Sequence, residues 1–147
     1  MNLKIKKTNP QATIPTYGTN GAAGFDLHAC ITRGSQFVPI REGETRVIDT
    51  GIAVAIPHGY VGLVFPRSGW ATKKGLTLAN CVGVIDEDYR GTIGVALHNQ
   101  SNAQQVVRHN DRVAQMAIIP FIKCEFDIVD ELDKTERGDG GFGSTGD

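Results

Sequence analysis

The chain has 147 residues, of which 40% are hydrophobic and 21% charged, and its formal net charge is −1. This size and composition are typical of one globular domain with its own core. The nearly neutral charge argues against a general nucleic-acid or membrane-surface binder, because such proteins usually carry an excess of positive charge.

The cysteine content indicates a reducing compartment. The chain has an odd number of cysteines, and the three, Cys30, Cys81 and Cys124, lie far apart in sequence. This spacing favours neither a disulfide framework nor a zinc site. The N-terminal residues MNLKIKKTNP lack an apolar stretch after the lysines, and no apolar run is long enough to span a membrane. We therefore expect a cytoplasmic protein with no membrane or nucleic-acid partner.

Three strands are predicted in the first half of the chain, and two of them end at a proline. AAGFDL (22–27) carries Asp26 at the start of a strand, where the carboxylate either accepts hydrogen bonds in a turn or faces a metal-bound phosphate. RVIDTGIAVAIP (46–57) and YVGLVFP (60–66) are rich in Val and Ile and stop at a residue that cannot donate to a β-ladder. SGWATKKG (68–75) is the one predicted helix, with Ser68 as its N-cap and Gly75 as its end.

The later strands show a period of two. Apolar and polar residues alternate in GTIGVALHN (91–99) and KCEFDIVDE (123–131), which predicts one buried and one exposed face. In RVAQMAIIP (112–120) both faces carry small or apolar residues, with Arg112 on the face of Ala114 and Met116. This predicts burial in the core and against another subunit. The 18 glycines fall between such runs, so we predict a nearly all-β sandwich, jelly roll or barrel.

Two stretches suit anions. Arg67 precedes Ser68 and Gly69 at the start of the predicted helix, where free N–H groups favour phosphate. Taken alone, this stretch is explained more simply by a plain Ser cap beside a surface arginine. The tail ERGDGGFGSTGD (136–147) contains G-x-G-x-x-G, but no helix can follow it, so a dinucleotide fold is excluded. Free amides, Arg137, Ser144 and Thr145 still suit a phosphate chain, and Phe142 suits a base.

In NCVGVIDEDYRG (80–91), every third position between two apolar runs is one of Asn80, Gly83, Asp86 and Tyr89. An ordinary turn accounts for this pattern. In the functional interpretation, Asn80 pairs with a nucleobase edge, Asp86 deprotonates a water, and Tyr89 offers a flat ring to a sugar.

Five segments in order resemble the five motifs of the trimeric dUTPases. They are AAGFDL (22–27), PRSGWA (66–71), NCVGVIDEDYRG (80–91), RVAQM (112–116) and RGDGGFGSTG (137–146). The resemblance implies a jelly-roll-like β-barrel of the dUTPase-like β-clip type, covering residues 1–136, with a glycine-rich flap at 137–147. It also implies a homotrimer with active sites at subunit interfaces.

The resemblance implies hydrolysis of dUTP to dUMP and pyrophosphate with Mg²⁺ on the triphosphate. Asp86 would be the general base, Tyr89 would exclude a 2′-hydroxyl, and Asp26 would place Mg²⁺ through its water shell. A tight hairpin at 80–91 would reject the methyl group of thymine. The residues implied to contact the base are Asn80, Gly83, Val84, Ile85 and Gly94. Those implied to hold the phosphates are Arg67, Ser68, Gly69 and, from another subunit, Gln115. Those implied in the flap are Arg137, Phe142, Gly143, Ser144 and Thr145.

Three further expectations remain open. Arg112 would be a structural partner at the interface. Trp70 stands where the family motif usually has Leu, and it points either into the core or toward the flap. A dCTP deaminase of the same superfamily would need an additional glutamate beside the base, whereas Glu87 is expected to point into solvent. A non-catalytic nucleotide-binding relative is the other alternative.

Overall fold

The computed structural model describes residues 1–34 and 36–141, which form twelve β-strands and one α-helix. The nearly all-β architecture with one very short helix is as predicted. The helix has seven residues, and no helix in the described part of the chain is long and apolar enough to cross a membrane. The elements are β1 (Lys4–Lys7), β2 (Thr16–Tyr17), β3 (Phe25–His28), β4 (Phe37–Ile40), β5 (Thr45–Asp49), β6 (Ile52–Ala55), β7 (Tyr60–Phe65), α1 (Ser68–Lys74), β8 (Leu76–Leu78), β9 (Gly83–Ile85), β10 (Gly94–Asn99), β11 (Gln105–Arg108) and β12 (Arg112–Pro120).

The strands pair in four antiparallel groups. The largest has the order β2-β3-β12-β7-β9, and a second has the order β5-β10-β8. The two remaining groups are the pairs β1-β6 and β11-β4. Within the described residues these ladders do not join into one closed barrel. The five-stranded sheet is the part of the fold that positions the functional residues described below.

One apolar core lies between the sheets. The alternation predicted for residues 91–99 is confirmed, because Ile93, Val95 and Leu97 are all buried. Trp70 is also in the core, with 8% of its surface exposed, and the ammonium of Lys74 lies 4.3 Å from its ring centre. The large side chain that replaces the usual Leu therefore points into the core.

The helix begins one residue earlier than predicted. Its N-cap is Arg67, whose backbone is extended (φ −89°, ψ 129°), and no side chain caps the first turn. Ser68 is consequently the first helical residue and not the cap. The end of the helix is as predicted, since Gly75 adopts the left-handed conformation (φ 65°) that glycine tolerates best.

A β-bulge in β12 overturns the predicted faces of this strand. The register with β3 shifts between Arg112, which pairs with His28, and Ala114, which pairs with Leu27. The extra residue reverses the alternation. Arg112 is therefore exposed, while Ala114 and Met116 are buried in the core. The bulge brings Arg112 to the sheet face that also carries Gln115 and Asp26.

The prediction of a strand over 123–131 is wrong, because the single chain forms no strand there. No strand is assigned between residues 121 and 141, and Phe126 and Ile128 are 95% and 96% exposed. Alternation produces a strand only where another strand supplies hydrogen bonds and an apolar surface. No other part of the described chain does so here. The segment 121–136 is called the C-terminal arm below.

Candidate functional site

A cleft of about 340 Å³ opens where β3, β12 and the start of α1 meet the loop 18–24. It brings together five residues that the sequence analysis assigned to phosphate or Mg²⁺. We call it the basic cleft. Its lining residues are Gly18, Thr19, Ala22, Gly24, Asp26, Arg67, Ser68, Gly69, Arg112 and Gln115.

Strand pairing places these residues together within one chain. Gln115 lies opposite Asp26 on β3 and opposite Phe65 at the end of β7. Its side-chain amide donates to the carbonyl of Pro66 at 3.1 Å, directly before Arg67. Gln115 therefore shares a cleft with Arg67 of its own chain, and the expectation that another subunit supplies it is wrong.

Asp26 joins the two arginines of the cleft. Its carboxylate oxygens lie 3.0 Å from Nε of Arg67 and 3.2 Å from an Nη atom of Arg112. The Asp26 side chain is only 13% exposed, so these charge-assisted contacts hold both guanidinium groups in place. Two cations against one carboxylate leave the cleft with net positive charge.

The environment of His28 reflects this charge. Burial lowers the pKa of His28, Asp26 raises it, and Arg112 and Arg67 lower it further. The Nδ1 atom of His28 is buried and has no hydrogen-bond partner among the described residues. Neutral His28 therefore adds no charge to the cleft at neutral pH, and the positive potential comes from the two arginines.

Arg112 lines the cleft, whereas the motif resemblance implies only a structural role for it at the subunit interface. The signal was hidden by the bulge, because simple alternation separates Arg112 from Gln115. Gly24 was missed as well. A Cβ atom there would lie 3.3 Å from the carbonyl of Met116 and 3.5 Å from Oε1 of Gln115. Glycine therefore allows β3 to approach Gln115 closely.

The segment 80–91 lies on the other edge of the five-stranded sheet. Its strand, β9, pairs with β7, whereas β8 and β10 belong to a different sheet. Neither of the strands next to β9 in sequence pairs with it. The described residues therefore do not form the β-hairpin predicted around this segment. Asp86 follows β9 directly and is exposed, and its carbonyl accepts from the amide of Tyr89 at 3.2 Å.

Tyr89 folds back over its own segment. Its hydroxyl donates to the carbonyl of Thr92 at 3.0 Å, and the ring remains partly exposed. A Cβ atom on Gly91 would lie 2.4 Å from the Tyr89 hydroxyl and 2.6 Å from the ring carbon that carries it. Gly91 thus makes room for the ring, a role that no residue pattern in the sequence indicated.

The predicted base-contacting residues are divided between two sheets. Asn80 is exposed, and its amide nitrogen lies 3.6 Å from the position of a Cβ atom on Gly83. Val84 and Ile85 continue β9 beyond Gly83. Gly94 instead begins β10, where it pairs with Asp49 in the three-stranded sheet. The structure therefore groups Asn80 with β9, whereas Gly94 belongs to a different sheet.

Glu87 does not point freely into solvent, contrary to expectation. One carboxylate oxygen accepts the amide of Gly59 at 2.6 Å, and the other lies 3.0 Å from Nδ1 of His58. The Gly59 amide and then His58 lower the pKa of Glu87 below its ordinary value. The carboxylate is engaged and is not aimed at Asn80 as a second acid or base.

The basic cleft and the segment 80–91 are separate features of one chain. Ile85 lies in the row of Gly62 on β7, whereas Gln115 lies in the row of Phe65. Along the strand direction these two rows are about 10 Å apart. Across the sheet, β12 and β9 are separated by two strand spacings, which is again about 10 Å. Asp86 lines a different groove, together with Val61, Leu63 and Val84.

The flap residues fall mostly outside the described part of the chain. Arg137 is exposed and donates from Nε to the carbonyl of Gly140 at 2.9 Å. The predicted contacts at Phe142, Gly143, Ser144 and Thr145 lie beyond residue 141. The described residues contain no group of three or more side chains suited to bind a metal. Asp26 is the one carboxylate among the residues that line the basic cleft.

Comparison with known proteins connects this geometry to a family. The family model for dUTPase matches residues 10–146. Proteins named deoxyuridine 5'-triphosphate nucleotidohydrolase from Nautilia profundicola and Desulfitobacterium hafniense are 49% and 52% identical to the chain. Each alignment covers 99% of the chain and 99% or 97% of the relative.

Two solved structures are also similar. A mutant dUTPase of Staphylococcus bacteriophage 80alpha with dUpNHpp has a TM-score of 0.88 and 28% identity, over 99% of this chain and 98% of that one. A mutant dUTPase from phage phi11 of S. aureus, described with a structural Mg(II) ion, has a TM-score of 0.78 and 27% identity, over 89% and 98%. With the five motifs in place across nearly its whole length, the chain belongs to the dUTPase family.

Proposed function

We propose that this chain hydrolyses dUTP to dUMP and pyrophosphate, which keeps uracil out of DNA and supplies dUMP for dTMP synthesis. Family membership and relatives named for this activity support the proposal. The observation that carries it is the basic cleft, where Asp26, Arg67, Ser68 and Gln115 converge. A triphosphate needs charge neutralisation and accurate positioning more than covalent help, and these groups provide both.

In this proposal the cleft holds the phosphate chain. Arg67 offers paired donors, Ser68 a hydroxyl with the first amides of α1, and Gln115 an amide fixed by its bond to Pro66. Gly69 lets the phosphates approach the backbone. Arg112 strengthens the same field and orients Asp26.

Asp86 is proposed as the general base. It would take a proton from water as the water oxygen bonds to the α-phosphorus. The bond from that phosphorus to its bridging oxygen breaks, and pyrophosphate leaves with the electron pair. Tyr89 would pack under the deoxyribose and exclude a 2′-hydroxyl. The proposed base contacts are Asn80, Gly83, Val84, Ile85 and Gly94.

Mg²⁺ is proposed as the cofactor, carried on the substrate. Mg²⁺ is usually held by one or two carboxylates, by waters and by substrate phosphates, and a cleft with one carboxylate suits that arrangement. Asp26 would hold the ion through its water shell, since both carboxylate oxygens already contact arginines. The bound ion would neutralise charge on the triphosphate.

We further propose a homotrimer, in which one subunit supplies the basic cleft and another supplies the segment 80–91. The separation of these features within one chain and the exposed apolar residues of the C-terminal arm support an assembly. Residues 1–136 would form the barrel domain. Residues 137–147 would form a flap that closes over the nucleotide with Arg137, Phe142, Gly143, Ser144 and Thr145. The free cysteines suit action in the cytoplasm.

The decisive experiment is product analysis with dUTP, UTP, dTTP and dCTP, each with Mg²⁺ and with EDTA. We expect dUMP and pyrophosphate from dUTP alone, and suppression by EDTA. The variant Asp86→Asn should lower kcat at least about a hundredfold while dUTP still binds, because only proton removal is lost. Deamination of dCTP would move the chain to the deaminase branch, and binding without turnover would indicate a non-catalytic relative.

A further inference from the structure

The carboxylate of Glu87 connects two parts of the sheet that are far apart in sequence. It accepts the Gly59 amide at 2.6 Å and lies 3.0 Å from Nδ1 of His58, which are 28 and 29 residues away. Its side chain is 30% exposed, whereas the neighbouring Asp86 and Asp88 are exposed. Glu87 is thus the one acidic residue of the three that the fold engages.

The partner of Glu87 is itself held firmly. Gly59 lies in the turn between β6 and β7, where its φ of 80° requires glycine. Its carbonyl accepts the amide of Phe121 at 3.0 Å, just after β12, and the amide of Tyr60 closes the turn onto Pro57. The turn is therefore fixed to the start of β7 and the end of β12, and it offers a rigid anchor.

The other bonds of residues 86–90 are local. Arg90 donates to the carbonyls of Glu87 and Tyr89, and the amide of Tyr89 donates to Asp86. These contacts shape the turn but do not fix it to the sheet. Among the described residues, Glu87 makes the only side-chain hydrogen bonds from 86–90 to a distant part of the chain.

We propose that Glu87 is a positioning residue, which fastens the turn that carries Asp86 to the β6–β7 turn and so fixes where the Asp86 carboxylate stands. The inference rests on the proposed role of Asp86 for its effect on rate. A misplaced catalytic group slows the chemical step more than it weakens substrate binding, because binding uses other residues. Glu87 therefore contributes to kcat without touching the substrate.

The test compares Glu87→Ala with Glu87→Gln and with Asp88→Ala, a control of equal charge change one residue away. Glu87→Ala should lower kcat about tenfold and leave KM for dUTP within about twofold. Glu87→Gln keeps an oxygen for the Gly59 amide and should retain most of the rate. Asp88→Ala should behave as wild type. Hydrogen exchange of the Gly59 amide, followed by NMR, should accelerate in Glu87→Ala only.

The exchange measurement keeps the inference separate from the proposed activity. Wild-type kcat and unchanged Gly59 exchange in a folded Glu87→Ala protein would overturn the positioning role. If Glu87→Ala does not fold, Glu87→Met fills the same space without a carboxylate acceptor, and wild-type kcat with undiminished Gly59 protection in that variant would do the same. If the wild type does not hydrolyse dUTP, the proposed function fails, and NMR order parameters of residues 85–88 decide alone. Unchanged values in Glu87→Ala would then overturn the anchor, and lower values would support it.

Discussion

Single side chains in the segment 80–91 are arranged by contacts that leave no pattern in the sequence. The backbone at Gly91 does not require positive φ, so alanine is compatible with its conformation. The three heavy atoms nearest to a Cβ atom there all belong to the Tyr89 side chain, with its hydroxyl oxygen at 2.4 Å. Gly91 is therefore a spacer for the ring that is proposed to discriminate between sugars.

Gly91→Ala should push the Tyr89 ring away from its bond to Thr92 and toward the proposed deoxyribose site. We expect the preference for dUTP over UTP, measured as the ratio of kcat/KM values, to change about tenfold. Gly21→Ala is the matched control, because a Cβ atom there meets nothing within 4 Å. A ratio unchanged from wild type would show that the ring position does not depend on Gly91.

At the scale of single residues, the sequence predicted which side chains line the basic cleft better than it predicted the contacts between them. Asp26, Arg67, Ser68 and Gly69 line one cleft, and Gln115 lies in it as part of the same chain and not of another subunit as expected. Their ion pairs were not predictable, because an exposed arginine and an arginine that faces a carboxylate look alike in sequence. The bulge before Ala114 cannot be inferred from alternation, so the contact of Arg112 with Asp26 was missed.

At the level of elements, turns between strands differ in what their glycines must satisfy. Gly51, between β5 and β6, has a φ of 66°, and a Cβ atom there would lie 2.7 Å from Sγ of Cys30 and 2.8 Å from Cβ of Ala12. Gly43, between β4 and β5, has a φ of 68° but open space around it. The two turns share backbone strain and differ in packing.

Gly43→Ala should lower the free energy of unfolding by about 1–2 kcal/mol, the cost of a left-handed alanine. Gly51→Ala should lower it by about 2–5 kcal/mol, because overpacking against buried neighbours adds about 1–3 kcal/mol. Denaturant titrations of both variants measure the difference. Equal losses of unfolding free energy in the two variants would contradict the packing argument and leave only the cost of the left-handed backbone.

Elements were predictable where a strand meets its partner within the same chain. The alternation of 91–99 gave β10 correctly because β5 and β8 flank it. The equally regular alternation of 123–131 has no such neighbour among the described residues, and the segment is exposed and unpaired with any strand. Periodicity therefore indicates a capacity to form a strand, and the surrounding fold decides whether the strand forms.

For the whole molecule, the C-terminal arm carries apolar side chains that the chain itself leaves exposed, including Ile122, Phe126, Ile128 and Leu132. Folded chains rarely leave such a row of apolar side chains uncovered, and a second copy of the chain is the proposed cover. The same assembly would join the basic cleft to a segment 80–91 from another subunit. Oligomerisation and turnover are then linked, and they can be separated by truncation.

Removal of residues 137–147 should preserve the oligomer and reduce turnover at least about tenfold, because the proposed flap no longer closes. Removal of residues 121–147 should abolish both the oligomer and turnover, since the arm is lost as well. Sedimentation velocity and dUTP hydrolysis on the same samples test this. A full-rate enzyme without 137–147, or an intact trimer without 121–147, would contradict the assignment.

The buried position of Trp70 has a consequence for spectroscopy. It is the only tryptophan of the 147 residues, and it lies in the core with the Lys74 ammonium 4.3 Å from its ring centre. It also belongs to the short helix whose first two residues line the basic cleft. Tryptophan fluorescence, excited beyond the absorption of the three tyrosines, therefore comes from one indole in each chain, and its emission reports the packing of α1 without any added label.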